Sequence, residues 1–223
     1  FVEGEKIGDD VRAHLGNGVR LHERSEFEPY LKGLSAKLIA IDPVRSVAAI
    51  YQALHEGGAR LLSRRDPALL PKAVKNAVEV AGHKAAQARD GGAVSRFLRW
   101  VETEAPRGEL DEMIAADKLL SFREDLGGLR DLSFDTISAF GPNGALPHYK
   151  GTAETNLPFT TGTLYLVDSG GQYQDGTTDI TRTVPIGEPT AEMIDRNTRV
   201  LQGHIAIATA LFPKGTRGSQ LDS

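Results

Sequence analysis

The chain has 223 residues, 40% of them hydrophobic, which is enough to bury a real core and long enough for more than one structural unit. With 26 basic residues interspersed among 30 acidic ones and a formal net charge of -4, it offers no electrostatic footprint for nucleic acid or an anionic membrane surface, so neither is expected as a partner. Cysteine is absent, which excludes disulfides and thiolate metal sites and leaves Asp, Glu, His, backbone or water to hold any metal.

Phe1 to about Pro29 is mixed and polar and says little. Ala36–Asp42 predicts a strand, Pro43 the start of an amphipathic helix over Val44–His55 that stops at Gly57-Gly58, and Ala59–Ser63 a second strand. That order predicts a βαβ unit with parallel pairing, an α/β piece. Asp66-Pro67 and Pro71 then place a domain boundary near residue 70.

From Lys75 to about Glu104 apolar residues recur at helical spacing (Val78, Ala81, Ala85, Ala88, Val94, Phe97, Leu98, Val101), with Gly91-Gly92 as a site for a kink or close packing. A second helix is expected over Leu110–Leu126, N-capped by Asp111. Ile114, Leu119, Leu120 and Phe122 form its facing stripe, and its Glu, Asp, Lys and Arg residues form a solvated face. Ser133–Ser138 reads as a strand leading into a loop at Gly141–Gly144, with His148 just beyond. Pro189-Thr190 precedes a third long helix from Met193 to Leu211.

Between these lies Tyr165–Thr183, which carries most of the chemistry. Tyr165-Leu166-Val167 and Ile180–Val184 are β-prone and Asp175-Gly176 is a reversal signal, so a hairpin is expected. It can bring Asp168 and Asp179 together, with a bulge at Gly170-Gly171 in left-handed geometry absorbing the off-centre turn. Two adjacent carboxylates repel unless protons or divalent cations neutralise them. An acid/base dyad, an oxygen-rich metal site and a pair of solvated turn aspartates are all compatible with the spacing.

The segments Asp168-Ser-Gly-Gly-Gln-Tyr and Asp175-Gly-Thr-Thr-Asp179-Ile-Thr-Arg-Thr resemble the metal-binding hairpin of the Xaa-Pro aminopeptidases. These belong to the pita-bread metallopeptidase superfamily, with methionine aminopeptidase, prolidase and creatinase; the wording of the second segment is similar to their long, three-domain form. The resemblance implies an α/β N-terminal piece followed by an α+β part, a partial pita-bread (creatinase-like) fold in which long helices pack on a curved antiparallel sheet. Residues 1–70 would end a middle domain and 71–223 would be the first half of the catalytic domain.

It also implies that Asp168 and Asp179 ligate two divalent ions, manganese foremost, with zinc or cobalt as alternatives. His148, in Pro142-Asn-Gly-Ala-Leu-Pro-His-Tyr149, would face the substrate and stabilise the developing oxyanion. The implied reaction is metal-assisted release of the N-terminal residue from peptides with proline second; prolidase- or creatinase-like hydrolysis and a non-catalytic binding module are the alternatives. The family's remaining ligands, one His and two Glu, have no counterpart in 184–223, so the 223 residues are expected to be inactive alone. A homodimeric parent is implied. A cytoplasmic location is expected, since no run reaches membrane-spanning length and no leader is visible at Phe1. His14, His22, His55, His83 and His204 are expected to be structural or surface residues.

Overall fold

The computed structural model describes residues 1–222. The chain divides into two compact units, Phe1–Lys75 and Asn76–Ser223. The first contains α1 (Asp9–Leu15), α2 (Phe27–Lys32), β1 (Leu38–Ile41), α3 (Ala48–Glu56), β2 (Arg60–Ser63) and α4 (Leu69–Ala73). As the strand–helix–strand order predicts, β1 and β2 pair in parallel, with Leu38 opposite Arg60 and Ile41 opposite Ser63. Leu31, Ile41, Ala53 and Leu54 form the core of this unit. Helix α3 starts four residues later than Pro43 suggests. The Asp42 side chain accepts the N–H of Val44 and of Asp66, and its carbonyl accepts those of Arg45 and Ser46, so 42–46 is a closed turn ahead of the helix.

The second unit contains α5 (Ala77–Glu104), α6 (Glu112–Leu126), β3 (Leu129–Leu132), β4 (Ile137–Phe140), β5 (Thr163–Ser169), β6 (Gly171–Tyr173), β7 (Ile180–Ile186) and α7 (Ala191–Thr209). Helix α5 is unbroken over 28 residues and starts in a capping box, with Asn76 accepting from the Glu79 amide and Glu79 reaching back to the Asn76 amide. Asp111 caps α6 through the Ile114 amide, and Thr190 caps α7 through that of Met193. The strand expected to begin at Ser133 starts only at Ile137 as β4; residues 133–136 are a bend and loop between β3 and β4.

Strands β4, β5 and β7 form an antiparallel sheet in that order, and β3 pairs with β6 in a separate two-stranded ladder. Helices α5 and α6 cover one side of the sheet. Val94, Phe97, Val101, Ala115, Leu119, Phe140, Phe159, Tyr165, Val167 and Ile186 pack there into a single core. Along β5 the odd positions Tyr165, Val167 and Ser169 are buried, while Leu164, Leu166 and Asp168 are only half-buried on the opposite face, as strand alternation requires. Helix α7 is amphipathic but buries no residue, and Ile194, Val200, Leu201, Ile205 and Ile207 are all exposed. Among the described residues no helix is long and apolar enough to cross a membrane.

Candidate metal centre

Asp168 sits one residue from the end of β5, opposite Ile137 on β4 and Thr181 on β7. Asp179 stands just before β7, two residues ahead of Thr181, and is exposed. Extending the β7 alternation one step places Asp179 on the side of Thr181 and Asp168, so the hairpin does bring the two aspartates to one end of one face. The Oδ1 atom of Asp168 is buried and has no hydrogen-bond partner among the described residues. A buried carboxylate oxygen is costly when unmatched, and a cation is the partner that suits an oxygen-only donor. The two aspartates therefore fit a divalent ion, although no group of three His, Asp or Glu side chains with the spacing of a metal site occurs among the described residues.

The glycine pair works differently from the expected left-handed bulge. Neither Gly170 nor Gly171 has positive φ. Instead, any side chain at Gly170 would collide with the Thr178 carbonyl and the Ser133 hydroxyl. Thr178 closes the neck of the hairpin: its N–H donates to the Gly171 carbonyl at 3.0 Å and its hydroxyl accepts the Gly171 N–H at 2.9 Å. The chain beyond the neck leaves the three-stranded sheet as β6 and turns at Asp175-Gly176, with the Tyr173 amide donating to the Gly176 carbonyl at 2.8 Å.

Asp175 is more than a turn former. Arg89 of α5 grips it with two hydrogen bonds of 3.2 and 2.9 Å, and this holds the Asp175 carboxyl below its ordinary range. Beside this clasp the Asp175 carbonyl abuts Gly82, where a side chain would clash. The close approach on α5 is thus at Gly82; Gly91, where a kink or tight packing was expected, has open space around it.

The charged residues of α6 correct a second expectation. Glu112 and Arg123 are 1% and 0% exposed, whereas Ile114, assigned to the facing stripe, is 44% exposed. Arg123 donates to Asp90 of α5 through Nε at 2.7 Å and Nη2 at 3.1 Å, and also through Nη2 to Ser169 Oγ at 3.1 Å. Tyr173 donates its hydroxyl to Asp90 at 2.8 Å. Burial alone would raise the Asp90 carboxyl, but the hydrogen bonds from Arg123 and Tyr173 outweigh it and hold the group below its ordinary range. Burial and the Asp90 contact push the Tyr173 phenol up to about 12. This network fixes Ser169, the residue next to Asp168. Its signal in the sequence was position: Asp90 lies four residues after buried Ala86 and Arg123 four after buried Leu119, both on core-facing stripes.

His148 is exposed and has a backbone φ of 58°. The Tyr149 amide donates to the Leu146 carbonyl at 3.2 Å, so Pro147 and His148 occupy the two central positions of a turn in the manner of type II, where the second position normally takes glycine. A methyl group added at Gly144 would stand 3.7 Å from Leu166 Cβ, which puts this loop over the Asp168 face of β5. Lys150 then reaches Asp135 at 2.7 Å, two residues before Ile137, the partner of Asp168. His148 lies in the chain between these two contacts.

The profile of metallopeptidase family M24 matches residues 81–223, and that of the creatinase/prolidase N-terminal domain matches residues 1–79. The chain belongs to metallopeptidase family M24. Xaa-Pro aminopeptidase 1 of Dictyostelium discoideum is 40% identical over 228 residues, an alignment that takes in all of this chain and 36% of that protein. An X-prolyl aminopeptidase from Caenorhabditis elegans, described as a cytosolic enzyme with a di-nuclear active site, superposes with a TM-score of 0.85 at 36% identity over 99% of this chain and 37% of its own. Prolidase from Pyrococcus furiosus shares the fold, with a TM-score of 0.69 at 22% identity over 92% of this chain and 57% of its own. The chain thus spans little more than a third of the length of these two Xaa-Pro aminopeptidase relatives. Its fold is the expected one: an α/β piece, then part of a pita-bread, creatinase-like domain with an antiparallel sheet after residue 130 and an unbroken helix before it.

Proposed function

We propose that this chain is part of a dinuclear metalloaminopeptidase that releases the N-terminal residue from peptides with proline at the second position. The observation that carries the reading is the buried Oδ1 of Asp168, without a partner among the described residues, on the hairpin of an M24 chain that also carries Asp179. Residues 1–70 supply the end of a creatinase-like middle domain and 71–223 the first half of the catalytic domain. Asp168 and Asp179 hold the ions, manganese in the first instance, with zinc or cobalt as substitutes. When bound, such ions polarise the scissile carbonyl and lower the pKa of water. His148, presented over the same face, donates a hydrogen bond to the carbonyl oxygen as negative charge builds on it. The protein acts in the cytoplasm on peptides, as a homodimer.

The test is hydrolysis of Xaa-Pro-containing peptides by the full-length protein with and without added manganese. Release of the first residue is expected to require metal, to be abolished in Asp168→Asn and Asp179→Asn, and to fall on the order of 100-fold in His148→Ala. Cleavage confined to Xaa-Pro dipeptides would turn the reading toward a prolidase, and manganese binding without hydrolysis toward a binding module. The 223 residues alone are expected to bind manganese weakly in a calorimetric titration, since two aspartates leave an ion mostly hydrated. Tight binding of two ions would mean that other ligands lie within this chain.

A further inference from the structure

Glu112 is the first residue of α6, a position where a carboxylate ordinarily faces water, yet it is 1% exposed. Its Oε1 accepts the Phe140 N–H at 2.6 Å and an Asn143 Nδ2 hydrogen at 3.0 Å, and its Oε2 accepts the Tyr149 hydroxyl at 2.8 Å and the Leu157 N–H at 3.2 Å. None of these partners is a cation, so the buried charge is met by hydrogen bonds and by its place in the first turn of a helix. The four donors come from four places along one loop: the end of β4, the turn after it, the residue after His148, and the segment that returns toward β5. Ser138 locks the anchor itself, donating to the Glu112 carbonyl at 2.6 Å while its hydroxyl contacts that of Tyr165 at 2.8 Å.

The His148 backbone is in the left-handed region, which a residue with a Cβ adopts only when its surroundings impose it. The residues on either side show what imposes it. Tyr149 is buried and tied to Glu112 by its hydroxyl, and Asn143 is tied to Glu112 and to the Tyr149 hydroxyl at 2.9 Å. We propose that Glu112 is the positioning residue of the 140–157 loop: one buried carboxylate gathers the loop and thereby holds His148 in its strained turn over the Asp168 face. The catalytic consequence rests on the role given to His148 above; the hold on the loop does not.

Two variants of the full-length protein test this, Glu112→Gln and Tyr149→Phe, the second removing a single donor should the first fail to fold. The Tyr149 amide, which closes the His148 turn, is expected to exchange about tenfold faster in each, with the Val167 amide in the core unchanged. In the peptide assay kcat is expected to fall about tenfold with KM within about twofold of wild type, because His148 acts on the transition state. Combining either variant with His148→Ala should cost little beyond His148→Ala itself. Unchanged exchange at Tyr149 in both variants, or losses that add in full to that of His148→Ala, would overturn the proposal. Faster Tyr149 exchange together with a fully active His148→Ala protein would uphold the hold on the loop and overturn only the role of His148.

Discussion

Strand β5 separates two environments that differ in one respect. On the α5–α6 side, the buried Asp90, Glu112, Ser138 and Ser169 all have hydrogen-bond partners, and the one orphan among the described residues is Nη1 of Arg123. On the other side Asp168, adjacent to Ser169 in sequence, keeps a buried oxygen with no partner among the described residues. Two buried polar atoms are thus unmet among the described residues, one on each side, and only that of Asp168 belongs to a carboxylate. The carboxylates of this unit are therefore of two kinds: those of Asp90 and Glu112, whose oxygens tie elements together, and that of half-buried Asp168, whose Oδ1 has no partner among the described residues.

The comparison breaks most visibly if the structural side proves expendable. Replacing Arg123 with alanine would strand the buried Asp90 carboxylate, and a loss of about 3–5 kcal/mol in urea denaturation is expected. A loss below about 1 kcal/mol would mean that the Asp90–Arg123 network is not what secures this face. A smaller effect, of opposite sign at two sites, is expected along α5. Gly82→Ala drives a methyl into the Asp175 carbonyl and should cost about 1–3 kcal/mol. Gly91→Ala enters open space and should gain about 0.5–1 kcal/mol from the helix alone. Least of all, Asp168→Asn should change the metal-free stability by only about 0.5 kcal/mol, since it breaks no hydrogen bond, yet it should remove the rise in melting temperature expected of the full-length protein on adding manganese. If instead Asp168→Asn destabilises the metal-free protein as Arg123→Ala does, the two faces are not different in kind.

Much of the fold was legible in the sequence because local signals agreed: the helix cap at Asp111, Pro189-Thr190 ahead of the last long helix, the glycine stops, and the β-prone runs around the hairpin all mark real boundaries. The two aspartates were singled out by the Asp168–Thr183 motif and His148 by the Pro142–Tyr149 segment, and strand register puts the aspartates on one face. What was not legible depended on contacts between distant segments. Glu112 and Arg123 look like helix-surface charges because a helical pattern records which face a residue takes, not whether a partner from another element will bury it. Arg89 and Asp175 are 86 positions apart, and no local rule links them. Gly82 passed unnoticed beside Gly91-Gly92 for the same reason: its small size matters only because the hairpin tip lands on it.

The strand order β4-β5-β7 also has a consequence for handling the protein in solution. Strand β7 is seven residues long and lies at the margin of its sheet, so one row of its backbone donors and acceptors has no neighbouring strand among the described residues. Such a row is a template on which another copy can grow by adding a strand, without disturbing any bond already made. Pro185 has no N–H to contribute and Arg182 adds a like charge to every copy, so the margin is blunted but not closed. Concentrated samples of these 223 residues would therefore be governed as much by salt, which screens Arg182, as by the stability of the fold.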